Sequence, residues 1–392
     1  MLEPSASRLA ERTLRAVLVD RPTPRITELL TAALDGTGPV ILPLDAGLPP
    51  ARLEELIAAF SPDEVEDPQG ITTVRSDKRS FPEGTAVIVG TSGSTGAPKG
   101  VQLSADALLH SARASLARIG ARAGERWLCC LPVTHIAGLQ VLVRALVSGT
   151  EPVFAAGPEP GCDHISLVPT QLARLEAGQL AGYRTILLGG AAAAPGLVQR
   201  ARDAGLPVVT TYGMTETCGG CLYDGVPLDG VEVDVRDERI WLSGPVLFSG
   251  YYGHPEAKGW FRTGDLGVLG ADGRLTVRGR ADDVINTGGH KVIPGEVTAV
   301  LLGAPGVRDA VVVGQSDTEW GERVVAVVVP SDPADPPTLK MLRMRVKQRL
   351  PRYAAPSRVV LADQIPMLPS GKPDLVRLRQ DLASSGVSYT EK

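Results

Sequence analysis

A segment of eleven residues has the composition of an anion-binding loop: GTSGSTGAPKG, residues 90–100. It combines four glycines and four hydroxyl side chains with one lysine. The backbone amides and hydroxyls of such a loop can surround an anion, and a lysine ammonium adds a point charge. We therefore predict phosphate contacts for the polar side chains of the segment, which are Thr91, Ser92, Ser94, Thr95 and Lys99.

The segment does not match the common nucleotide-binding loops. A Walker loop places its lysine between a glycine and a hydroxyl residue, whereas Lys99 lies between Pro98 and Gly100. The G-x-G-x-x-G spacing of dinucleotide-binding folds is absent as well. A phosphoryl-transferring P-loop ATPase is therefore disfavoured, and on these residues alone a flexible surface linker stays open as the alternative.

The cysteines and a nearby histidine raise the question of a zinc site. Cys218 and Cys221 form a C-x-x-C pair, and Cys162 lies two residues before His164. A structural zinc site needs four ligands in paired spacings, and no second matching pair is present. We interpret these cysteines, and the adjacent pair at 129–130, as reduced thiols in the core.

Length and charge exclude several classes of protein. A chain of 392 residues is long for a single core and predicts a large and a small domain. The net charge of −4 argues against a surface that is basic throughout, so nucleic acid is not expected as a partner. The first residues lack the apolar core of a secretory signal, and no apolar run approaches the ~18 residues of a membrane span. We expect a cytoplasmic protein.

The glycine-rich segment lies among short β-branched runs that end at glycine. Such runs occupy 85–89, 186–188 and 207–213. Helical patterns lie between them, one beginning at Ser104, whose hydroxyl can cap the first turn, and one at 194–204. This alternation predicts an α/β sheet of parallel strands, and ligands bind at the carboxyl ends of such strands. We expect the three ends marked by glycine to converge.

The pattern changes in the last third of the chain. Short strands and turns after about residue 228 predict a β-rich subdomain. From Pro294 onward a helix, two valine-rich strands and a helix from Thr338 predict a small α+β unit. We place the large domain at 1–281 and the small one at 282–392.

Five motifs occur in the order found in acyl-adenylate-forming enzymes, and the chain resembles that family. They are TSGSTGAPKG, YGMTETCGG at 212–220, WFRTGDLG at 260–267, GRADDVINTGGHKVIPGEV at 279–297 and PSGK at 369–372. Within the family, LPVTHIAGLQVLVRAL and YGMTETCGGCLYDGVPLDGV are most similar to the o-succinylbenzoate-CoA ligases of menaquinone biosynthesis.

The resemblance implies an acid-thiol ligase that uses ATP, Mg²⁺ and coenzyme A. A carboxylate attacks the α-phosphorus of ATP and expels pyrophosphate, and the thiol of coenzyme A then displaces AMP. Two alternatives stay open: another acyl- or aryl-CoA synthetase, and a non-catalytic nucleotide-binding regulator. The sequence leaves the oligomeric state undetermined.

The resemblance also implies roles for individual residues. Lys372 would bridge the attacking carboxylate and the α-phosphate, Glu216 would bind Mg²⁺, and Thr215 would contact the α-phosphate. The other nucleotide contacts would come from Gly189, Gly190 and Ala191 beside the adenine, Tyr212 stacked on it, Gly213, Asp265 on the ribose and Arg280 as its support.

The resemblance places a hinge at Asp282. About this hinge the small domain would rotate, so that Lys372 serves the first half-reaction and Gly288-Gly289 the second. Two positions differ from the usual pattern of the family. Pro373 follows the lysine directly, and Leu375 lies where an arginine is frequent.

The acid implied by the resemblance carries a second carboxylate that needs a partner in the pocket, because an unpaired buried carboxylate costs several kcal/mol. His135 is our first candidate and Arg144 our second, both from the segment HIAGLQVLVR. The alternatives are a core histidine and a surface arginine. Thr134 replaces the aromatic residue that is common in the family before this histidine.

Overall fold

A computed structural model describes residues 9–75, 79–92, 98–193, 195–368 and 372–384. The fold is mixed α/β, as the sequence predicts. The helices are α1 (Pro24–Leu34), α2 (Pro50–Phe60), α3 (Ala105–Ile119), α4 (Ile136–Val147), α5 (Pro169–Leu172), α6 (Ala177–Leu180), α7 (Pro195–Asp203), α8 (Pro294–Leu302), α9 (Leu339–Lys347) and α10 (Leu375–Ala383).

The strands fall into four regions of the chain. Those before residue 105 are β1 (Leu9–Arg12), β2 (Leu14–Val19), β3 (Val40–Asp45), β4 (Glu64–Asp67), β5 (Gly70–Thr73), β6 (Arg79–Pro82), β7 (Thr85–Ser92) and β8 (Pro98–Ser104). The second region contains β9 (Trp127–Cys129), β10 (Val153–Phe154), β11 (His164–Leu167), β12 (Thr185–Leu188), β13 (Val208–Met214), β14 (Gly219–Tyr223) and β15 (Val226–Pro227). The third contains β16 (Glu232–Arg236), β17 (Arg239–Ser243), β18 (Gly250–Tyr251), β19 (Phe261–Leu269) and β20 (Leu275–Arg280), and the fourth β21 (Ile285–Thr287), β22 (His290–Val292), β23 (Val307–Asp317), β24 (Gly321–Pro330) and β25 (Arg358–Leu361).

Local signals in the sequence predicted several of these elements. The runs at 85–89, 186–188 and 207–213 are strands β7, β12 and β13. Ser104 caps α3 by accepting a hydrogen bond from the amide of Ala107 at 3.1 Å, as predicted. These features depend on neighbouring residues only, so the sequence reveals them directly.

The expectation that the three glycine-ended runs belong to one parallel sheet is wrong for β7. Strands β12 and β13 are parallel neighbours in a 7-stranded sheet of order β10-β9-β11-β12-β13-β14-β15. Strand β7 belongs to another 7-stranded sheet, of order β18-β8-β7-β3-β2-β4-β5, where it is antiparallel to β8. A buried apolar run pairs with whichever strand the helices bring beside it, and the residues of the run do not determine which strand that is.

Helices α3 and α4 join the two sheets through one apolar core. Helix α3 contacts β7 and β8 on one side and β14 on the other, while α4 contacts β9, β11 and β14. Side chains such as Leu108 and Leu139 are fully buried in this core. Helix α4 is consequently held by packing on several sides, and this packing fixes the position of His135 at its N-terminus.

The last two sheets divide at the predicted hinge. Strands β16, β17, β19 and β20 form a 4-stranded sheet that ends at Arg280, and β21 begins a 5-stranded sheet at Ile285. In the latter, valines alternate between its two faces: Val312 and Val324 pack under α8 and α9, whereas Val313 and Val325 pack under α10. The domain boundary at 281/282 stays a prediction.

No helix in the described ranges is long and apolar enough to cross a membrane.

Gly138 allows α4 to approach the segment that precedes it. An added Cβ there would lie 2.3 Å from the carbonyl oxygen of Pro132. We predict that Gly138→Ala lowers the free energy of unfolding by about 2 kcal/mol, because the backbone must move to relieve the overlap. Gly178→Ala in α6 is the control, since its Cβ would meet nothing within 4 Å. Urea denaturation that shows equal effects of the two substitutions would contradict this explanation.

Candidate active site

The glycine-rich segment begins in β7 and ends in β8, and these two strands pair antiparallel. Ser94 and Thr95 lie outside the described residues, and Ser92 is opposite Pro98 in the strand register. Thr91 donates its hydroxyl to the carbonyl of Lys99 at 3.2 Å. The exposed ammonium of Lys99 lies 5.7 Å from the centre of the Tyr251 ring. The strand pair therefore directs one cation towards the edge strand β18.

Tyr251 connects this cation to Glu216. Its hydroxyl donates to Oε1 of Glu216 at 2.8 Å. Burial raises the pKa of the Tyr251 phenol, and the negative charge of Glu216 raises it further. Glu216 itself lies in a 3-10 turn, Thr215–Thr217, which directly follows β13. This tyrosine was missed by the sequence interpretation, because it lies outside the five motifs and only the pairing of β18 with β8 brings it to the site.

A second carboxylate is held between two donors. The hydroxyl of Tyr212 donates to Oδ2 of Asp265 at 2.7 Å, and Arg280 Nη1 donates to Oδ1 at 3.2 Å. Burial raises the pKa of Tyr212, and the negative charge of Asp265 raises it further. Arg280 also lies 3.7 Å from Oδ2 of Asp282. The structure thus brings together three residues predicted for nucleotide binding and the predicted hinge residue.

Two predicted nucleotide-contacting glycines are required by the packing of the protein itself. An added Cβ at Gly189 would lie 2.2 Å from Oγ1 of Thr211, and at Gly213 it would lie 1.9 Å from the carbonyl oxygen of Gly219. Gly190 has a φ of +81°, which favours glycine. With Ala191 they lie at the carboxyl ends of β12 and β13, beside Tyr212.

The charge of Lys372 acts on His135, although the two residues lie more than 200 positions apart in the chain. His135 is the N-cap residue of α4. Burial lowers the pKa of its imidazole, and the positive charge of Lys372 lowers it further, while Asp45 opposes both. Lys372 is exposed on a turn closed by a hydrogen bond from the amide of Leu368 to its carbonyl, at 2.7 Å. The ammonium of Lys372 therefore lowers the pKa of the imidazole at the N-terminus of α4.

Arg144 lies apart from His135, nine residues further along α4 and thus about 13 Å along the helix axis. The alternative of a surface position is wrong, because its side chain is buried. Its Nη2 donates to Oγ of Ser166 at 3.0 Å, and the guanidinium lies 4.5 Å from the centre of the Trp127 ring. Burial lowers its pKa, and among the described residues that act on its charge there is no carboxylate.

The predicted pair for the second half-reaction forms a hairpin turn. Gly288 and Gly289 join β21 to β22 with φ values of +56° and +78°, the geometry of a type I′ turn. An added Cβ at Gly288 would lie 2.6 Å from the ring of Trp320. The turn alone therefore requires these glycines, whatever else they contact.

The interpretation of the cysteines as core thiols is confirmed. Cys218 and Cys221 are fully buried and unbridged, and burial raises the pKa of Cys221 to about 12. Within the described ranges, no group of three or more His, Cys, Asp or Glu side chains is placed to hold a metal ion.

The chain matches two family models. The model described as AMP-binding enzyme covers residues 53–252, and the model of the AMP-binding enzyme C-terminal domain covers residues 296–372. The chain therefore belongs to the AMP-binding enzymes.

Its relatives have more specific names. A Mycobacterium tuberculosis protein named "Probable 2-succinylbenzoate--CoA ligase" is 43% identical over 75% of this chain and 83% of its own length. The "2-succinylbenzoate--CoA ligase" of Enterococcus faecalis is 34% identical over 74% of this chain and 68% of its own length.

Two of the solved structures that this chain resembles are enzymes of the same kind as these relatives. The o-succinylbenzoate CoA synthetase MenE of Bacillus subtilis, in complex with the acyl-adenylate intermediate OSB-AMP, matches with a TM-score of 0.80 and 26% identity over 95% of this chain and 88% of that one. A variant of E. coli MenE with bound OSB-AMS matches with a TM-score of 0.76 and 28% identity over 90% of this chain and 85% of that one.

The influence of Lys372 on His135 can be measured directly. We predict that Lys372→Ala raises the pKa of His135, because removal of the nearby positive charge makes the imidazolium less unfavourable. An NMR titration of the imidazole protons, assigned with His135→Gln, measures the shift. Lys347→Ala, which removes an exposed lysine of α9, is the matched control. Equal values for the pKa of His135 in the two lysine variants would contradict the arrangement.

Proposed function

We propose that this chain is a 2-succinylbenzoate-CoA ligase, which activates the acid as an acyl-adenylate and transfers it to coenzyme A. The observation that carries the proposal is the pair of carboxylates held by phenols, Glu216 by Tyr251 and Asp265 by Tyr212, because a magnesium ion and a ribose each need an oriented carboxylate. The names of the relatives and the MenE complex with OSB-AMP supply the acid and the nucleotide.

The first half-reaction must bring together two anions that repel each other. In our proposal Lys99 and the glycine-rich segment, with Thr91, Ser92, Ser94 and Thr95, hold the outer phosphates, and Lys372 contacts the α-phosphate and the attacking carboxylate. Unit charges about 4 Å apart interact by about 4 kcal/mol at an effective dielectric of about 20, which corresponds to about three powers of ten in rate.

Magnesium would complete the neutralisation at Glu216. Tyr251 orients this carboxylate by donating to its Oε1, and Glu216 would hold the ion. When bound, Mg²⁺ neutralises phosphate oxygens and orients them. Thr215, which begins the same 3-10 turn, would contact the α-phosphate.

The nucleoside would bind beside the ends of β12 and β13. Asp265 is oriented by Tyr212 and Arg280, and a carboxylate fixed in this way can accept hydrogen bonds from both ribose hydroxyls. The adenine would lie against the segment of Gly189, Gly190 and Ala191, and Gly213 would allow its close approach.

The second half-reaction requires Lys372 to leave the place that the thiol of coenzyme A must enter. We propose that the small domain rotates about Asp282 and presents Gly288 and Gly289 to the thiol. The change of sheet between Arg280 and Ile285 leaves a short connection, which supports a hinge there.

The second carboxylate of the acid would be recognised from α4. His135 lies at the N-terminus of the helix, where amides and the helix dipole favour an anion. Arg144 supplies a buried cation with no carboxylate among the described groups that act on it, and Ser166 holds its Nη2. We propose that His135 contacts the acid first and that Arg144 contributes its charge from within the core.

A panel of acids tests the identity of the substrate. We predict that pyrophosphate release requires both ATP and acid, and that kcat/KM for 2-succinylbenzoate exceeds the values for benzoate and fatty acids by at least about tenfold. Loss of one buried ionic contact can account for a difference of that size. A preference for benzoate or a fatty acid would identify a different acyl- or aryl-CoA synthetase, and absence of pyrophosphate release would favour a nucleotide-binding regulator.

The two half-reactions can be separated at Lys372. We expect Lys372→Ala to lower adenylate formation by about three powers of ten, since the charge between the reacting anions is lost. Thioester formation from supplied acyl-adenylate and coenzyme A should be nearly unchanged. Rapid quenching measures each step, with Lys347→Ala as the control. Equal loss of both steps would refute a role confined to the first.

A further inference from the structure

Arg278 bridges the two parts of the chain. It lies on β20, in the sheet that ends before the predicted hinge, and its Nη1 donates to Glu238 Oε1 at 2.5 Å within that sheet. Its Nε donates at the same time to Glu296 Oε1, also at 2.5 Å, and Glu296 lies in the first turn of α8 beyond the hinge. One guanidinium therefore binds one carboxylate on each side of the predicted hinge.

The backbones meet closely at this place. An added Cβ at Gly279 would lie 2.7 Å from Cγ2 of Ile293, and one at Gly295 would lie 2.8 Å from the carbonyl oxygen of Arg278. Two glycines thus let β20 approach the start of α8. The approach brings Glu296 within reach of Arg278.

Apolar packing beside the contact is incomplete. A cavity of about 310 Å³ opens between β20, α8 and the segment before Tyr353. Its apolar walls include Leu266, Val284, Ile293 and Val297, and Arg278 and both of its carboxylate partners also line it. The ion pairs therefore border open space as well as the close backbone contact.

We propose that Arg278 is a positioning residue, whose bond to Glu296 holds the small domain in the orientation that presents Lys372 to His135. This inference rests on the proposed function, because it assigns the orientation to the adenylation step. Glu238 accepts from the other edge of the guanidinium, within the sheet that precedes the predicted hinge. When the Arg278–Glu296 bond opens, the small domain is released for the thioester step.

The exposure of the pair suits a contact that must break in every turnover. The side chains of Arg278 and Glu296 are 27% and 29% exposed, so water and salt weaken their attraction. A partly exposed ion pair of this kind corresponds to about a fivefold change in an equilibrium. A fivefold change is enough to favour one orientation of the small domain, and it is too small to prevent the other.

The test compares three variants. Arg278→Met and Glu296→Gln each remove the bond across the junction, and Glu238→Gln removes only the bond within the large domain. We expect the first two to raise the ratio of thioester rate to adenylation rate about fivefold, and the third to leave it nearly unchanged. Higher ionic strength should raise the ratio in the unaltered protein but not in Arg278→Met, since no ion pair remains to be screened.

A measurement without substrate separates this inference from the proposed function. Hydrogen–deuterium exchange in peptides that cover β20 and the start of α8 should be several-fold faster in Arg278→Met and Glu296→Gln than in Glu238→Gln. Unchanged exchange and an unchanged rate ratio in both junction variants would overturn the role of Arg278. Faster exchange in a protein that does not act on 2-succinylbenzoate would support the contact and refute the proposed substrate.

Discussion

The positive charge of Lys372 acts on the imidazole of His135 across the junction between the two parts of the chain. Burial of the ring and this nearby positive charge both lower the pKa of His135, because a second cation beside an ammonium is unfavourable. A neutral imidazole can exchange hydrogen bonds with a substrate while the ammonium provides the positive charge at that point. The proposed adenylation chemistry depends on this division, because the nearby charge must be available to two anions.

The carboxylates of the site are held by phenols rather than by other charges alone. Tyr251 donates to Glu216, and Tyr212 donates to Asp265. A phenol orients a carboxylate without cancelling its charge, whereas a bidentate arginine would neutralise it. Asp265 also pairs with Arg280 at 3.2 Å, so its charge is partly balanced, and both tyrosines are part of the site as much as the acids are.

The chemistry of the junction suits the rotation proposed for the small domain. Its central contact is the partly exposed Arg278 with carboxylates on both sides, next to a cavity of about 310 Å³. A dry apolar interface of the same extent would resist opening, because its surface would have to be hydrated at each rotation. Charged groups are already partly hydrated, so the proposed rotation would expose little new apolar surface at Arg278.

Local signals in the sequence were enough to predict many of the secondary-structure elements and the family. Glycine-ended apolar runs, the Ser104 cap and the five ordered motifs identified the main elements, the family and the predicted site residues, since each signal lies within a few consecutive residues. Tertiary structure alone decided which sheet received β7, that Tyr251 reaches Glu216, and that Arg144 is buried rather than exposed. Those facts depend on contacts between segments far apart in the chain, and no local pattern of residues specifies which distant partner a strand or a side chain will meet.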